Sequence, residues 1–342
     1  MDILITGGCG FIGSNFTRYI LNNHTKWKVV NLDKLNYAGN PLNLKEFEDT
    51  SRYRFVKGDV ANRGLVEKVF FEEEFDAVIN FAAESHVDRS VMDASPFVET
   101  NIKGTQTLMD AARKSEINRF IQISTDEVYG SLGETGEFTE NSPISPNSPY
   151  AASKASADIL CRSYHITHDF PVIITRSSNN YGPYQFPEKL IPLMIRNALS
   201  GEELPVYGEG KEVRDWLYVE DNVRAIEKVL RKGKPGEVYN IGGRAERENI
   251  EVVKKIRETL KNHPNTPELS PEIRFIEDPR GAAHDFRYAL DCSKIENSLG
   301  WKPTIDFERG LSKTIDWYIN NLEWVEKVIS SEYQDYYDEV YD

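Results

Sequence analysis

Residues 3–13 read ILITGGCGFIG, a short apolar run followed by glycines at 7, 10 and 13, with Phe11 and Ile12 opening a helical pattern. Glycine lacks a Cβ, so the backbone can turn tightly here and approach a diphosphate while the helix behind supplies oriented N–H donors. A glycine trio alone is a weak signal, because Gly-rich turns are common. Its surroundings strengthen it. Asp33 ends the next apolar run, VVNLD at 29–33, 20 residues beyond Gly13. A carboxylate there accepts hydrogen bonds from an adenosine ribose and repels a 2′-phosphate, which predicts NAD rather than NADP. Lys34 is the counter-signal, but one residue along a strand points to the opposite face. Asp59 and Val60 after the third run, and Phe81, Ala82 and Ala83 in the fourth, fall where adenine and the nicotinamide ribose would be reached.

The alternation continues outward from this loop. Apolar runs at 54–59, 77–83, 120–124 and 172–176 alternate with stretches such as 14–21, 65–71 and 98–113, whose apolar residues recur at three- and four-residue spacing. Strand, helix, strand in repetition predicts an α/β fold, a doubly wound parallel sheet forming a Rossmann domain over 1–178. Beyond Arg176 the stretch NNYGPYQFPEKLIPLM is irregular and rich in Pro, Tyr and Asn. It predicts a smaller α/β substrate-binding domain over 179–214 and 244–330. A helical stretch near 220–232 and the run VYNIGG at 238–243 predict a return to the first sheet at about 215–243, so the two domains are interleaved. An acidic, Tyr-rich tail closes the chain at 331–342.

The 342 residues are enough for two such domains. Net charge is −14, which disfavours nucleic acid and anionic membranes as partners. Cys9, Cys161 and Cys292 stand far apart with no C-x-x-C, so neither a disulfide framework nor a metal site is expected. No apolar run approaches ~18 residues and the N-terminus lacks a basic leader, so a reducing cytoplasm is the expected compartment.

Tyr150 and Lys154 in YAASK stand at i and i+4 of a helix begun by Ser148-Pro149. A lysine cation beside a phenol favours tyrosinate, a base able to take a hydroxyl proton while hydride leaves the same carbon. Upstream, the run FIQIS leads into Thr125, Asp126 and Glu127, at the carboxyl end of a parallel strand where α/β ligands bind. Thr125 can hydrogen-bond the reacting hydroxyl. Adjacent carboxyls near an anion can have their pKa values pushed apart, leaving one as base and one as acid.

At these motifs the chain resembles the extended short-chain dehydrogenase/reductase superfamily, and within it the nucleotide-sugar 4,6-dehydratases. TGGCGFIGS, DKLNYAGN, FAAESHVDRS, STDEVYG, YAASK, RSSNNYGPYQFPEKLIP, VRDWLYVED and YNIGG carry the likeness from residue 3 to about Trp301. The resemblance implies a hydro-lyase of deoxysugar (rhamnose-type) biosynthesis acting on dTDP-glucose, with UDP-glucose as the alternative. Tyr150 would serve C4 oxidation, Glu127 remove the C5 proton and Asp126 protonate the departing C6 hydroxyl. It further implies that Asn36, Gly39, Ser85, Thr100 and Asn180 contact NAD. Ser85, Asn180, Lys189, Leu190 and Leu193 would line the sugar and phosphates, Pro205, Val206 and Tyr207 the nucleobase, and Arg214 a phosphate, with Asn249 nearby. A homodimer built through helices at 100–112 and 153–165 is implied as well. Where members read D-R-P-G-H-D-R-R-Y, residues 278–288 read DPRGAAHDFRY, two residues longer and with Phe286 for an arginine. His284, Arg287 and Tyr288 are the expected substrate contacts of this segment. A 4-epimerase or decarboxylase would leave Asp126 idle, and a catalytically silent NAD or nucleotide sensor would show no turnover.

Overall fold

The computed structural model describes residues 1–266 and 269–329, so the tail at 331–342 lies outside the described residues. In chain order the strands are β1 (Asp2–Thr6), β2 (Lys28–Asp33), β3 (Tyr53–Lys57), β4 (Ala77–Asn80), β5 (Arg119–Thr125), β6 (Val172–Ser177), β7 (Asn179–Tyr181), β8 (Leu204–Tyr207), β9 (Val213–Tyr218), β10 (Val238–Ile241), β11 (Glu246–Glu248) and β12 (Ile273–Ile276). Seven of them form one parallel sheet in the order β10-β6-β5-β4-β1-β2-β3. β1 and β4 are neighbours in space but not in sequence, so the strand order reverses between them. A ligand crevice is expected at that switch point, beyond the strands' carboxyl ends.

Both faces of the sheet are covered, as a parallel sheet requires. One face packs Ile3, Ile5, Phe16, Ile20 and Ile226. The other packs Leu4, Leu32, Val78, Leu108 and Phe120. Successive residues of β1 thus feed opposite layers, which is the period-two geometry of a strand buried on both sides. The apolar runs predicted at 54–59 and 77–83 outlast their strands, because Gly58, Asp59 and Phe81 to Ala83 have left the sheet; of these Gly58 and Phe81 to Ala83 border the crevice.

The stretch predicted as one helix over 98–113 is divided. Val98–Gly104 is a π-helical turn, and Thr105–Lys114 continues as α-helix. The wider turn buries consecutive residues, Thr100 and Asn101. Asn101 Oδ1 accepts from the Glu84 N–H at 2.9 Å, and its Nδ2 donates to Ser153 Oγ at 2.8 Å.

β7, β9 and β11 form a second, three-stranded sheet, and β8 pairs with β12. Their core is separate, with Tyr181, Ile191, Trp216, Val253, Leu311 and Ile315 among its members. Leu290, Cys292, Ile295, Leu299 and Trp301 pack into the first core instead, although they lie in the 244–330 stretch expected to serve the second domain. Trp301 is 1% exposed within that core, and its indole N–H ties the segment to the Asp221 carbonyl at 3.1 Å on the helix Val219–Lys232. No described helix is long and apolar enough to cross a membrane.

Candidate active site

The carboxyl ends of the central strands open onto a cleft of about 410 Å³. Gly7, Gly10, Phe11, Ile12 and Gly13 form one wall. Gly7 has φ +69°, and a Cβ on it would lie 2.6 Å from the Ala82 nitrogen; one on Gly13 would lie 2.3 Å from the Gly7 carbonyl oxygen. Neither position tolerates a side chain. Gly10 caps the helix Phe11–Asn23 without a side-chain bond and its first turn holds no acidic residue, leaving a positive helix end beside the loop. Asp33 Oδ2 accepts from the Cys9 N–H at 2.9 Å and Oδ1 from Leu35 at 2.8 Å. Burial pushes this carboxyl up, and those backbone donors oppose the rise. The Lys34 ammonium is paired with Glu84 at 2.7 Å and Thr100 at 2.9 Å, so its charge beside Asp33 is compensated. Asn36, Gly39, Val60, Phe81, Ala82, Ala83, Ser85 and Asn180 line the same cleft. A cradle that excludes Cβ atoms, a free helix end and a buried carboxylate at the end of β2 together fit a dinucleotide.

Tyr150 and Lys154 enter the cleft from the helix Pro149–His168, whose start is fixed by Ser148 accepting from the Ala151 N–H at 3.1 Å. Lys154 Nζ donates to the Ile123 carbonyl at 2.6 Å. Burial pushes its pKa down to about 8, with Asp158 opposing. Burial raises the Tyr150 phenol, the Glu127 charge adds to the rise, and a hydrogen bond with Thr125 opposes it. Thr125 ends β5 and caps the turn Asp126–Tyr129, accepting from the Glu127 N–H at 3.3 Å. Its hydroxyl also contacts Asp126 Oδ1 at 3.2 Å. Asp126 is 2% exposed and its Oδ2 has no hydrogen-bond partner among the described residues. Burial, then the charges of Glu127 and Asp215, hold the Asp126 carboxyl well above its ordinary range. Glu127 is also raised by burial, but Arg214, Lys189 and Arg280 oppose the rise. Both carboxyls are therefore raised, Asp126 the more strongly because more cations oppose burial at Glu127. Such a separation suits one carboxyl as acid and the other as base.

Residues 4–314 match the family model described as GDP-mannose 4,6 dehydratase. The chain belongs to that family. A dTDP-glucose 4,6-dehydratase of Xanthomonas campestris pv. campestris (strain B100) is 50% identical over 97% of both chains. The low-salt glycan biosynthesis protein of Haloferax volcanii is 52% identical over 94% of this chain and 100% of its own. The crystal structure of a dTDP-glucose 4,6-dehydratase from Streptomyces venezuelae with NAD bound superposes with a TM-score of 0.90 at 46% identity, covering 96% of this chain and 100% of that one.

In this member of the GDP-mannose 4,6 dehydratase family the far end of the cleft is lined by Lys189, Leu190, Leu193, Pro205, Val206, Tyr207, Arg214, Asn249, His284 and Tyr288. Arg214 is buried, donates to the Asp285 carbonyl at 2.7 Å and lies 4.5 Å over the Tyr288 ring. Lys189 Nζ donates to the Ser85 carbonyl at 2.9 Å. Two expected contacts do not reach the cleft. Asp59 is not among its lining residues; it accepts from the Ala61 N–H at 2.8 Å and shapes the turn after β3. Arg287 is likewise absent from the lining, because Glu246 takes its Nε at 2.7 Å and the Gly136 carbonyl takes its NH1 at 2.9 Å. Arg280 lines the cleft instead. Its guanidinium bonds Asp88 and lies 5.3 Å over the Tyr207 ring. Glu84, His86 and Glu188 also line the cleft without having been singled out as ligands. Their signal was present in FAAESHVDRS and FPEKLIP, but a charged residue within a loop motif does not show by itself which way it faces. Burial pushes the Glu188 carboxyl up to about 6, against the Lys189 charge.

Proposed function

We propose that this chain is an NAD-dependent hydro-lyase that converts dTDP-glucose to dTDP-4-keto-6-deoxyglucose and water. The observation that carries the proposal is the adjacent pair of buried Asp126 and half-buried Glu127, opening on the same cleft as Tyr150 and Lys154. Oxidation alone needs only the phenol and ammonium; two differently biased carboxyls add elimination. The Gly7–Gly13 loop and Asp33 would hold NAD, which would supply a hydride acceptor at C4 and a donor at C6. Tyr150, as phenolate stabilised by the Lys154 cation, takes the C4 hydroxyl proton, and Thr125 orients that hydroxyl. The resulting ketone acidifies the C5 hydrogen, which Glu127 removes. Asp126 gives its proton to the C6 hydroxyl, and water departs with the C6–O electron pair; as hydride is returned to C6, Glu127 gives its proton back to C5. Lys189, Arg214 and Arg280 hold the diphosphate and nucleoside, a local positive lining against the −14 background.

The test is incubation with dTDP-glucose and UDP-glucose in parallel, following the 4-keto product. Product from dTDP-glucose is expected. Absence of product from both overturns the proposal, and preference for UDP-glucose reassigns the nucleobase.

The same reading makes residues 1–178 with the return at about 215–243 the NAD-binding unit, its core joined by Leu290 to Trp301, and 179–214 with the rest of 244–330 the sugar-nucleotide unit. It includes a homodimer through the helices Thr105–Lys114 and Pro149–His168. Support comes from Val98 and Ile159, which are 53% and 57% exposed apolar residues on or next to these helices. Sedimentation at twice the chain mass is expected. A cytoplasmic location accords with three buried free thiols.

A further inference from the structure

Trp324, on the helix Leu322–Val328, donates its indole N–H to Asn43 Oδ1 at 2.8 Å. Asn43 is 1% exposed, and its amide donates in turn to the Cys9 carbonyl at 2.9 Å. Cys9 stands inside the glycine loop. Its carbonyl also receives the Asn40 N–H at 3.0 Å, and its own N–H is held by Asp33. A relay of two hydrogen bonds therefore runs from the last described helix to the diphosphate loop. The surrounding contacts reinforce it. The Arg18 guanidinium donates to the Asn43 carbonyl and lies 4.4 Å over the Tyr184 ring. Tyr184 packs on Trp317 at 4.6 Å and Trp324 at 6.0 Å. Its φ of +66° is a conformation that a bulky residue keeps only where neighbours over-determine it. Asn15 adds a third tie, donating to the Pro183 carbonyl at 2.9 Å.

We propose that Trp324 and Asn43 form a clasp that slows escape of the bound dinucleotide, acting as positioning residues that touch neither cofactor nor substrate. The inference rests on the NAD reading above. Neither residue lines the cleft. The glycine loop and the 36–39 stretch both line the cleft, and in this proposal the dinucleotide leaves when they part. The Cys9–Asn40 hydrogen bond joins those two segments, and Asn43 locks the joint from behind. A reaction that returns its hydride within each cycle has no need of cofactor exchange, so a slow exit costs it nothing in rate.

The experiment measures NAD release from the loaded protein by dilution into labelled NAD. Trp324→Phe keeps the ring and removes the N–H; a roughly 2- to 10-fold faster release is expected, the range for one hydrogen bond. Asn43→Ala should release faster still, and the double variant no faster than Asn43→Ala, since both act through one relay. A merely structural role would lower Tm and give additive effects on release. Release at the wild-type rate from Trp324→Phe, or additivity in the double variant, overturns the clasp alone. Wild-type protein that retains no NAD overturns the functional reading and the clasp with it.

Discussion

Arg280 and Asp88, 192 residues apart in sequence, form an ion pair where Arg280 lines the cleft. Asp88 is 5% exposed. Burial works to raise its carboxyl, but Arg280 and His86 outweigh burial and hold it at about 2. A carboxyl depressed on folding stabilises the protein above its unfolded pKa and loses that contribution as pH falls. For Asp88 the loss runs from about pH 4 to about pH 2. Arg280→Met should therefore lower stability by about 2 kcal/mol at pH 6, the worth of the depression of the Asp88 carboxyl. Thermal melts from pH 7 to pH 2.5 should show the gap to wild type closing toward the acid end.

Asp126→Asn and Glu127→Gln should each lose dehydration by ~10²–10⁴-fold, the usual worth of a positioned acid or base. Both should still reduce bound NAD slowly on adding dTDP-glucose, because Tyr150 and Lys154 remain. Absorbance at the reduced nicotinamide band reads the first step, and keto-sugar formation reads the second. Normal dehydration by Asp126→Asn would remove it as the acid.

Arg214→Ala and Arg287→Ala should separate cleanly although both are buried arginines of the second lobe. The first faces the cleft; losing charge-assisted hydrogen bonds worth ~1.5–3 kcal/mol should weaken sugar-nucleotide affinity roughly 10- to 150-fold. The second is committed to Glu246 and Gly136. Its affinity should stay within about 2-fold of wild type, with about 1–2 kcal/mol lost in stability. Calorimetric titration with dTDP and a melt for each variant make the comparison.

Lys154→Met should abolish turnover and yet stabilise the free protein at neutral pH. Burial lowers the lysine from 10.5 to about 8, so below pH 8 the folded state carries an unfavourable charge. Between 8 and 10.5 the unfolded chain still binds the proton and the folded one does not, so wild-type stability rises with pH there. The variant lacks this rise. Its advantage, about 3 kcal/mol at most at pH 7, should shrink by pH 10 in paired melts.

The central sheet, the glycine loop and the meeting of Thr125, Asp126, Glu127, Tyr150 and Lys154 at one cleft were legible because each depends on local pattern. Alternating runs mark strands; Gly7 and Gly13 mark backbone approach; Tyr150 and Lys154 share a face by helical spacing. Arg280 and Arg287 were not separable by such means. Both belong to one loop, and the choice between them was made by Glu246, a residue 41 positions upstream that captures Arg287. The π-helical turn at Val98–Gly104 was hidden for a similar reason. Its reward lies in contacts from Asn101 to Glu84 and Ser153, which no local periodicity reports.

The edge position of β10 bears on how the chain is made. β6 borders β10 on one side and β5 on the other, so its outer hydrogen-bonding groups stay unpaired until Val238–Ile241 has left the ribosome. At ~5–20 residues per second, the about 60 residues between them take several seconds. During that interval the nascent protein presents an open parallel edge, the feature that invites association with other chains. Translational pauses between these two strands would lengthen that exposure.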